Sequence, residues 1–182
     1  MHARARNSAA ASATERELTI RRTFEAPRAL VFRVWTEPQH LAQWSCPRGF
    51  TMTENSGELR VGGAFSACMR SPEGSDHRLR GVYREIVPPE RLVFTHAWID
   101  ASGAPGPETI VTVTLAERNG RTEMTFHQGI FASVAARDGH QQGWSSCFER
   151  LAELLAALAR DAAASDHWCY RVRGCTGLLD AT

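Results

Sequence analysis

Hydrophobic and polar residues first alternate in ELTIRRTF, residues 17–24, and this period of two predicts a β-strand. Pro27 then breaks the strand, and apolar residues recur at helical spacing over residues 30–35, which predicts a short helix with the proline in its first turn. Pro38 interrupts that helix, and the apolar stripe continues to Trp44 in a second short helical turn. The pattern therefore predicts one strand followed by two short helices.

From about Phe50 the period of two returns and persists through three pairs of segments, which predicts six further strands. The predicted connections are a two-residue turn at Gly62-Gly63, a stiff loop at residues 88–90 and a hairpin turn at Asn119-Gly120. Residues 100–108, DASGAPGPE, are rich in turn formers and predict a rim loop. Seven antiparallel strands result.

A helical period follows residue 131 and predicts one long amphipathic helix over about residues 132–160. We expect residues 1–16 to form a disordered tail, and residues 161–182 show no clear period. Between them, residues 17–160 predict one α+β domain, in which a curved antiparallel sheet of about seven strands wraps around the C-terminal helix. Because one helix cannot fill the space inside such a sheet, a ligand cavity is expected between the two.

Five segments of this pattern carry a family resemblance. They are RTFEAPRALVFRVWTEPQHLAQW, ELRVGGAF, GVYREIVPPERLVFTHAW, TIVTVTLAERNGRTEMTFHQG and HQQGW, in this order over roughly residues 17–158. The set resembles the activator of heat-shock-protein-90 ATPase homologue-like branch of the START-like (SRPBCC) superfamily. This resemblance implies a helix-grip fold with a deep hydrophobic cavity. It does not imply one activity, because the superfamily contains lipid carriers, hormone receptors, polyketide cyclases and aromatases.

Composition and charge narrow the class of partner. The 182 residues carry 21 basic and 20 acidic side chains, a formal net charge of +1, which argues against a nucleic-acid surface built on bulk charge. No apolar run approaches the roughly 18 residues that span a bilayer. Five cysteines without a C-x-x-C pair indicate a reduced, cytoplasmic protein. All basic residues are arginine, which is typical of a GC-rich bacterial genome.

Arg22 lies between Ile20 and Phe24 on the apolar face of the first predicted strand. An unpaired buried charge costs on the order of several kcal/mol, so the guanidinium needs a partner inside the domain or a path to solvent at the strand edge. An internal partner is either a ligand anion in the cavity or an acid such as Glu108. Arg84 raises the same question on a later strand.

Aromatic and histidine residues supply the other candidates for the cavity wall. A histidine in such a wall is a general base or, more often, a hydrogen-bonded structural residue, and both alternatives apply to His96 and His127. The candidate ligand-binding residues are Arg22, Trp35, Phe65, Tyr83, His96, Trp98 and Trp144. No residue is assigned a catalytic role.

The sequence signatures of metal, hydrolase and nucleotide sites are missing. His167, Cys169 and Cys175 form a local cluster without the spacing of a zinc site. The chain has neither a G-x-S-x-G elbow nor a G-x-x-x-x-G-K-[ST] phosphate loop, and Gly62-Gly63 does not belong to a G-x-G-x-x-G motif. No cofactor and no metal are therefore expected.

Three functions remain open. The leading hypothesis is non-enzymatic binding of a small hydrophobic or amphipathic molecule in the cavity between the sheet and the C-terminal helix. The alternatives are a cofactor-independent cyclase or dehydratase that moves protons with Arg22, His96 or His127, and a chaperone-associated or regulatory interaction domain. Hydrogen-bonded titratable groups inside the cavity would favour the enzyme, and an apolar pocket the binding protein. Neither nucleic acid nor a membrane span is expected, and a homodimer stays open.

Overall fold

The structure, a computed structural model, describes the backbone of residues 12–173 and the side chains of residues 12–161. A 3₁₀ helix at Thr14–Arg16 precedes seven strands and three α-helices. The strands are β1 (Leu18–Phe24), β2 (Thr51–Gly57), β3 (Ala64–Arg70), β4 (Asp76–Val87), β5 (Arg91–Ile99), β6 (Thr109–Arg118) and β7 (Arg121–Gly129). The helices are α1 (Arg28–Thr36), α2 (Pro38–Trp44) and α3 (Val134–Arg173). The expected α+β fold, with two short helices after the first strand and a long C-terminal helix, is confirmed.

All seven strands form one antiparallel sheet in the order β1-β7-β6-β5-β4-β3-β2, so β1 and β2 are its edges. The first strand joins the sheet beside β7, with Ile20 opposite Phe126. Register shifts after Met52 in β2 and after Tyr83 in β4 mark β-bulges. Bulges of this kind bend a strand and increase its twist, which curves the half of the sheet that they occupy.

Helices α1, α2 and α3 pack against the sheet and bury the hydrophobic core between the two layers. The N-terminus of α3 is capped, because the Ser133 hydroxyl accepts a hydrogen bond of 3.1 Å from the backbone N–H of Ala136. The large buried residues of α3 recur at helical spacing on the face that contacts the core. They are Phe148, Leu151 and Leu155.

The two short helices meet at a proline that deprives a carbonyl group of its helical partner. In a continuous helix the Val34 carbonyl would accept from residue 38, but Pro38 has no N–H. The indole Nε1 of the fully buried Trp44 donates to this carbonyl at 3.0 Å instead. Just past the end of α2, Arg150 of α3 donates to the Cys46 carbonyl at 2.6 Å. These two bonds hold α2 against its neighbours on both sides.

Both ends of the domain differ from expectation. The 3₁₀ helix begins before residue 17, and the N–H of Phe131 donates to the Arg16 carbonyl at 2.9 Å, so contacts with the domain begin before the expected boundary. At the other end, α3 continues beyond residue 160 to Arg173. The alanine-rich sequence there favours helix without an apolar stripe, so the periodic signal stops before the helix does. Residues 1–11 and 174–182 lie outside the described residues.

The predicted two-residue turn at Gly62 and Gly63 is wrong. The second strand ends at Gly57, and residues 58–63 connect it to β3. This connection folds back on β4: the N–H of Gly62 donates to the Tyr83 carbonyl at 2.8 Å, and the N–H of Tyr83 donates to the Gly63 carbonyl at 3.0 Å. The φ of Gly62 is +79°, a conformation that glycine adopts without a steric penalty.

Candidate functional site

Two adjacent cavities lie between the sheet and the helices. The first has a volume of about 320 Å³ and is bounded by α1, α2 and strands β2 to β5. The second, of about 360 Å³, lies between β5 and the N-terminal part of α3. Both cavities are lined by Ser45, Leu79, His96 and Trp144, so they share one wall.

One wall of the first cavity is an aromatic cluster that depends on a glycine. The Phe65 ring lies 5.1 Å from the Tyr83 ring and 5.6 Å from the Phe94 ring, measured between centroids. A Cβ at the buried Gly81 would lie 2.3 Å from Cζ of Phe65 and 1.9 Å from the Thr95 carbonyl oxygen. Only glycine at this position of β4 therefore lets Phe65 lie across the strand and face the cavity.

The opening of the first cavity lies between α2 and the β2–β3 connection. Leu59 of this connection lines the cavity and is 49% exposed. Asn55 donates from Nδ2 to the Pro38 carbonyl at 3.1 Å, which ties β2 to the start of α2 at this opening. Glu37 lies here too, and its carboxylate accepts from Nε of Arg33 at 3.2 Å. The charged group thus lies at the rim and already has a partner.

Small residues on α3 create the space of the second cavity. Ala135, Gly139 and Gly143 follow one another at intervals of four, so they lie on one face of the helix, and all three line the cavity. A Cβ on Gly139 would meet no heavy atom within 4 Å. Further along the same helix, from Trp144 onward, large side chains pack against the core and fill the space between α3 and the sheet.

A histidine and a tryptophan meet across the second cavity. Nδ1 of His140 lies 2.9 Å from the Ala136 carbonyl oxygen and therefore carries the proton of the neutral ring. Its Nε2 then accepts a hydrogen bond of 3.0 Å from Nε1 of Trp98. Burial lowers the pKa of His140, which favours this neutral form. The bond links β5 to α3.

His96 is the buried titratable group of the shared wall, with 5% of its surface exposed. Its ring meets those of Trp98, His140 and Trp144 edge-on, at centroid distances of 5.2, 5.5 and 6.4 Å. Burial, together with the neighbouring His140, lowers the pKa of His96 to about 4. His96 is therefore uncharged at neutral pH and presents the cavities with a polar but neutral ring.

A chain of buried hydrogen bonds fixes Trp144, the other large residue of the shared wall. Its Nε1 donates to Oε1 of Gln128 at 2.7 Å, and Nε2 of Gln128 donates to the Thr109 hydroxyl at 2.8 Å. That hydroxyl donates in turn to the His96 carbonyl at 3.2 Å. Gln128 is fully buried, so the chain holds the indole in one orientation without help from solvent.

The structure brings together six of the seven residues that the sequence nominated for ligand binding. The first cavity is lined by Trp35, Phe65, Tyr83, His96 and Trp144, and the second by His96, Trp98 and Trp144. Of the two histidines considered for proton transfer, His127 on β7 lines neither cavity. Its Nε2 lies 3.4 Å from Oε2 of Glu17.

Of the two alternatives for Arg22, the structure shows the path to solvent at the strand edge and not a partner inside the cavity. By the alternation of β1, Arg22 shares a strand face with the buried Ile20 and Phe24. Because β1 is an edge strand, however, the long arginine side chain reaches solvent. The exposed guanidinium donates to the Arg21 carbonyl at 2.9 Å, and Arg22 lines neither cavity. Arg84 is also exposed, because the bulge after Tyr83 turns it out of the alternation.

Several cavity residues were not nominated from the sequence, above all His140. A signal was present: His140 precedes Trp144 by four residues in HQQGW, so the two lie on one helical face. Two other cavity residues, Trp44 and Leu59, gave no comparable signal. Trp44 ends an apolar helical stripe, which predicts a core residue, and Leu59 lies in a segment that was predicted to be a strand.

No helix in the described part of the chain is long and apolar enough to cross a membrane.

Comparisons with known proteins agree with this architecture. A protein of known structure from Chromobacterium violaceum is 30% identical, with a TM-score of 0.71 over 77% of this chain and 96% of that one. One from Rhodobacter sphaeroides is 28% identical, with a TM-score of 0.69 over 81% and 97% of the two chains. A solution structure from Arthrobacter aurescens is 26% identical, with a TM-score of 0.71 over 83% and 92%. No match was found among curated proteins.

Residues 25–156 match the family described as Activator of Hsp90 ATPase homolog 1-like protein. This range contains every strand from β2 to β7, both short helices and the part of α3 that lines the second cavity. The family match confirms the resemblance inferred from the sequence motifs, and the fold is consistent with a ligand-binding domain. The chain therefore belongs to the family of Activator of Hsp90 ATPase homolog 1-like proteins.

Proposed function

We propose that this protein binds a small hydrophobic molecule in the two cavities between the sheet and the helices. The supporting observation is the first cavity, about 320 Å³ of space enclosed largely by aromatic and aliphatic side chains. Protein interiors are normally packed to crystal density and leave few voids larger than a water molecule. Small-molecule sites, by contrast, begin at roughly 300 Å³ and are lined mainly by apolar residues.

The state of the titratable groups supports binding rather than proton transfer. Burial lowers the pKa of His96 to about 4, and burial raises the pKa of Tyr83 and, to about 12, that of Cys147. All three are therefore neutral at neutral pH. Within residues 12–161 no hydrogen bond joins two titratable groups that line the second cavity. A general acid or base works best when its pKa lies near the working pH, and the pKa of each of these three groups is shifted away from it.

The proposal is tested by titrating the protein with Nile red, an uncharged dye whose fluorescence rises in apolar surroundings. We expect saturable binding with one dominant site. Ala67→Phe should weaken binding at least about tenfold, because Ala67 lines the first cavity and the phenyl ring would occupy it. Ala64→Phe is the matched control on the same strand, since Ala64 is exposed and lines neither cavity.

Equal dye affinity in the wild type, Ala67→Phe and Ala64→Phe, or fluorescence that never saturates, would overturn the proposal. Circular dichroism melting checks that each variant folds. If Ala67→Phe does not fold, Gly139→Leu replaces it, because the second cavity has open space at that position.

A further inference from the structure

The wall shared by the two cavities presents one polar side chain that has no partner on another residue. Four residues line both cavities: Ser45, Leu79, His96 and Trp144. The Ser45 hydroxyl donates to the Leu41 carbonyl at 2.7 Å. The Trp144 indole donates to Gln128, also at 2.7 Å. Both donors are therefore used, whereas the His96 ring makes no hydrogen bond to another residue within residues 12–161.

A small molecule in the cavities can reach the ring of His96. The described residues contain four side-chain atoms that are unpaired and sealed even from water: Nε of Arg16, Nε of Arg28, Nε1 of Trp35 and Nδ1 of His40. Neither ring nitrogen of His96 belongs to this set, although the residue is only 5% exposed. Because His96 lines both cavities, its accessible nitrogen opens into them.

The main chain of His96 favours a lone pair on that nitrogen. The His96 carbonyl contacts its own ring, and Nδ1 is the ring nitrogen nearest the main chain, so the contact favours a proton at Nδ1. Burial, together with His140, lowers the pKa of His96 to about 4, so the ring is neutral at neutral pH and carries a single N–H. Nε2 is then a hydrogen-bond acceptor.

The rings that surround His96 do not supply a donor to this acceptor. The indole N–H groups of Trp98 and Trp144 donate to other side chains, and the N–H of His140 donates to a backbone carbonyl. A buried acceptor without a donor costs free energy. A hydroxyl group on a bound molecule would supply the missing donor.

We propose that the ligand carries a hydroxyl group on its apolar body and that this hydroxyl donates a hydrogen bond to Nε2 of His96. This inference rests on the proposed function and narrows the ligand class to apolar alcohols and phenols. A ketone or ether oxygen has no proton to donate and leaves Nε2 unpaired. The inference concerns the part of the ligand at the shared wall, so it places no restriction on a group that stays in solvent at the cavity opening.

Three naphthalenes of nearly equal shape test the inference. 2-Ethylnaphthalene has no polar group, 2-acetylnaphthalene has an acceptor alone, and 1-(2-naphthyl)ethanol has a hydroxyl. Their affinities are measured by displacement of Nile red at pH 7, in the wild type and in His96→Phe. The affinity ratio of each oxygen compound to 2-ethylnaphthalene cancels changes in the shape of the cavity.

The two oxygen compounds should respond differently to His96→Phe. The ratio of the alcohol to 2-ethylnaphthalene should fall at least about fivefold, because the buried hydroxyl loses its acceptor. The ratio of the ketone to 2-ethylnaphthalene should stay within about twofold of the wild-type value, since the ketone makes no bond to Nε2.

His140→Phe is the matched control for the substitution. His140 lines the second cavity, but both of its ring nitrogens already have partners within the protein. Both affinity ratios should therefore stay near their wild-type values. If circular dichroism shows that this variant does not fold, His127→Phe replaces it, because His127 lines neither cavity.

Nitrogen-15 NMR of the histidine rings tests the same contact without a substitution. We expect the Nε2 signal of His96 to shift when the alcohol binds, because a donated hydrogen bond changes the electron density at an unprotonated ring nitrogen. The shift should be clearly smaller with 2-ethylnaphthalene and with 2-acetylnaphthalene. This measurement decides the question if His96→Phe does not fold.

The outcomes distinguish this inference from the proposed function. If Nile red binds and is displaced, but the alcohol ratio is unchanged in His96→Phe or falls equally in the control, the assignment to His96 is overturned while hydrophobic binding stands. An Nε2 signal that responds equally to all three compounds overturns it too. A ketone that loses as much affinity as the alcohol would overturn the hydroxyl class. Failure of Nile red itself to bind contradicts the proposed function.

Discussion

The indole of Trp98 and the imidazole of His140 are joined by a hydrogen bond of 3.0 Å that links β5 to α3 across the second cavity. Because Nδ1 of His140 donates to the Ala136 carbonyl, the acceptor at Nε2 exists only while the ring is neutral. Protonation places a second N–H on the ring and removes that acceptor. This contact between strand and helix therefore depends on an uncharged histidine.

We expect the indole N–H signal of Trp98 to shift as the pH is lowered from about 7.5 to about 4.5. Burial lowers the pKa of His140, so the midpoint should lie below the ordinary value of 6.5. Nitrogen-15 NMR resolves the indole signals, and Trp44, which donates to a backbone carbonyl, is the internal control. A Trp98 signal that stays constant over this range would contradict the bond to His140.

His96 should make the stability of the protein depend on pH. Its pKa is about 4 in the folded state and near 6.5 in the unfolded chain, so the unfolded state binds more protons between these values. The contribution of His96 is therefore complete above pH 6.5 and is lost as the pH falls towards 4. Between pH 7 and pH 5 the loss amounts to about 2 kcal/mol.

Urea unfolding of the wild type and of His96→Phe at these two pH values measures this contribution. The variant should lose about 2 kcal/mol less than the wild type on going from pH 7 to pH 5. An equal loss in both proteins would show that His96 is protonated equally well in the folded and unfolded states.

The period of the apolar residues was sufficient to predict the strands, the helices and their order, because each element buries one face. Local turn chemistry was also informative at Asn119 and Gly120, whose φ values of 53° and 77° are those of a type I′ hairpin turn. Gly62 and Gly63 carry a similar local signal, but their backbone pairs with Tyr83 of a distant strand. Tertiary pairing of this kind is not encoded in local pattern.

For the candidate site, residue type predicted more than strand phase did. One long helix does not fill the space inside a curved sheet, and large aromatic residues such as Trp35 and Trp144 line the cavity that remains. Arg22 had the correct phase for the interior, but the sequence does not reveal that β1 is an edge strand from which a long side chain reaches solvent. The register of β4 was likewise hidden, since the bulge after Tyr83 follows from pairing with β5.

Two tryptophan variants should differ in stability although they remove similar volumes. Trp44→Phe leaves the Val34 carbonyl unpaired, because Pro38 has no N–H to offer. Trp35→Phe removes a donor that has no acceptor in the described residues. In ligand-free protein, urea unfolding should show Trp44→Phe to be the less stable by about 1–3 kcal/mol. An equal or greater loss for Trp35→Phe would mean that its N–H has a partner, such as the ring of Trp44, whose centroid lies 4.6 Å from that of Trp35.

Replacing Gly139 by alanine should stabilise the protein, because this glycine weakens α3 and leaves space in the second cavity. It lies inside α3, where glycine is less favourable than alanine by about 0.5–1 kcal/mol, and its added Cβ would meet no atom within 4 Å. Gly139→Ala should therefore raise the free energy of unfolding by about that amount in urea titrations. A destabilised Gly139→Ala would indicate that the N-terminal part of α3 packs more closely on the sheet than the second cavity allows.

The most direct test of whether a hydrophobic molecule enters the cavities between the sheet and the helices is to follow the indole N–H signals of the protein during a titration with Nile red. Trp35 and Trp144 line the first cavity, and Trp→Phe variants assign their signals. We predict that both signals shift and saturate together with the dye fluorescence, and that the shifts are reduced in Ala67→Phe but not in Ala64→Phe. Indole signals that remain in place at dye saturation would contradict the proposal that these cavities are the binding site.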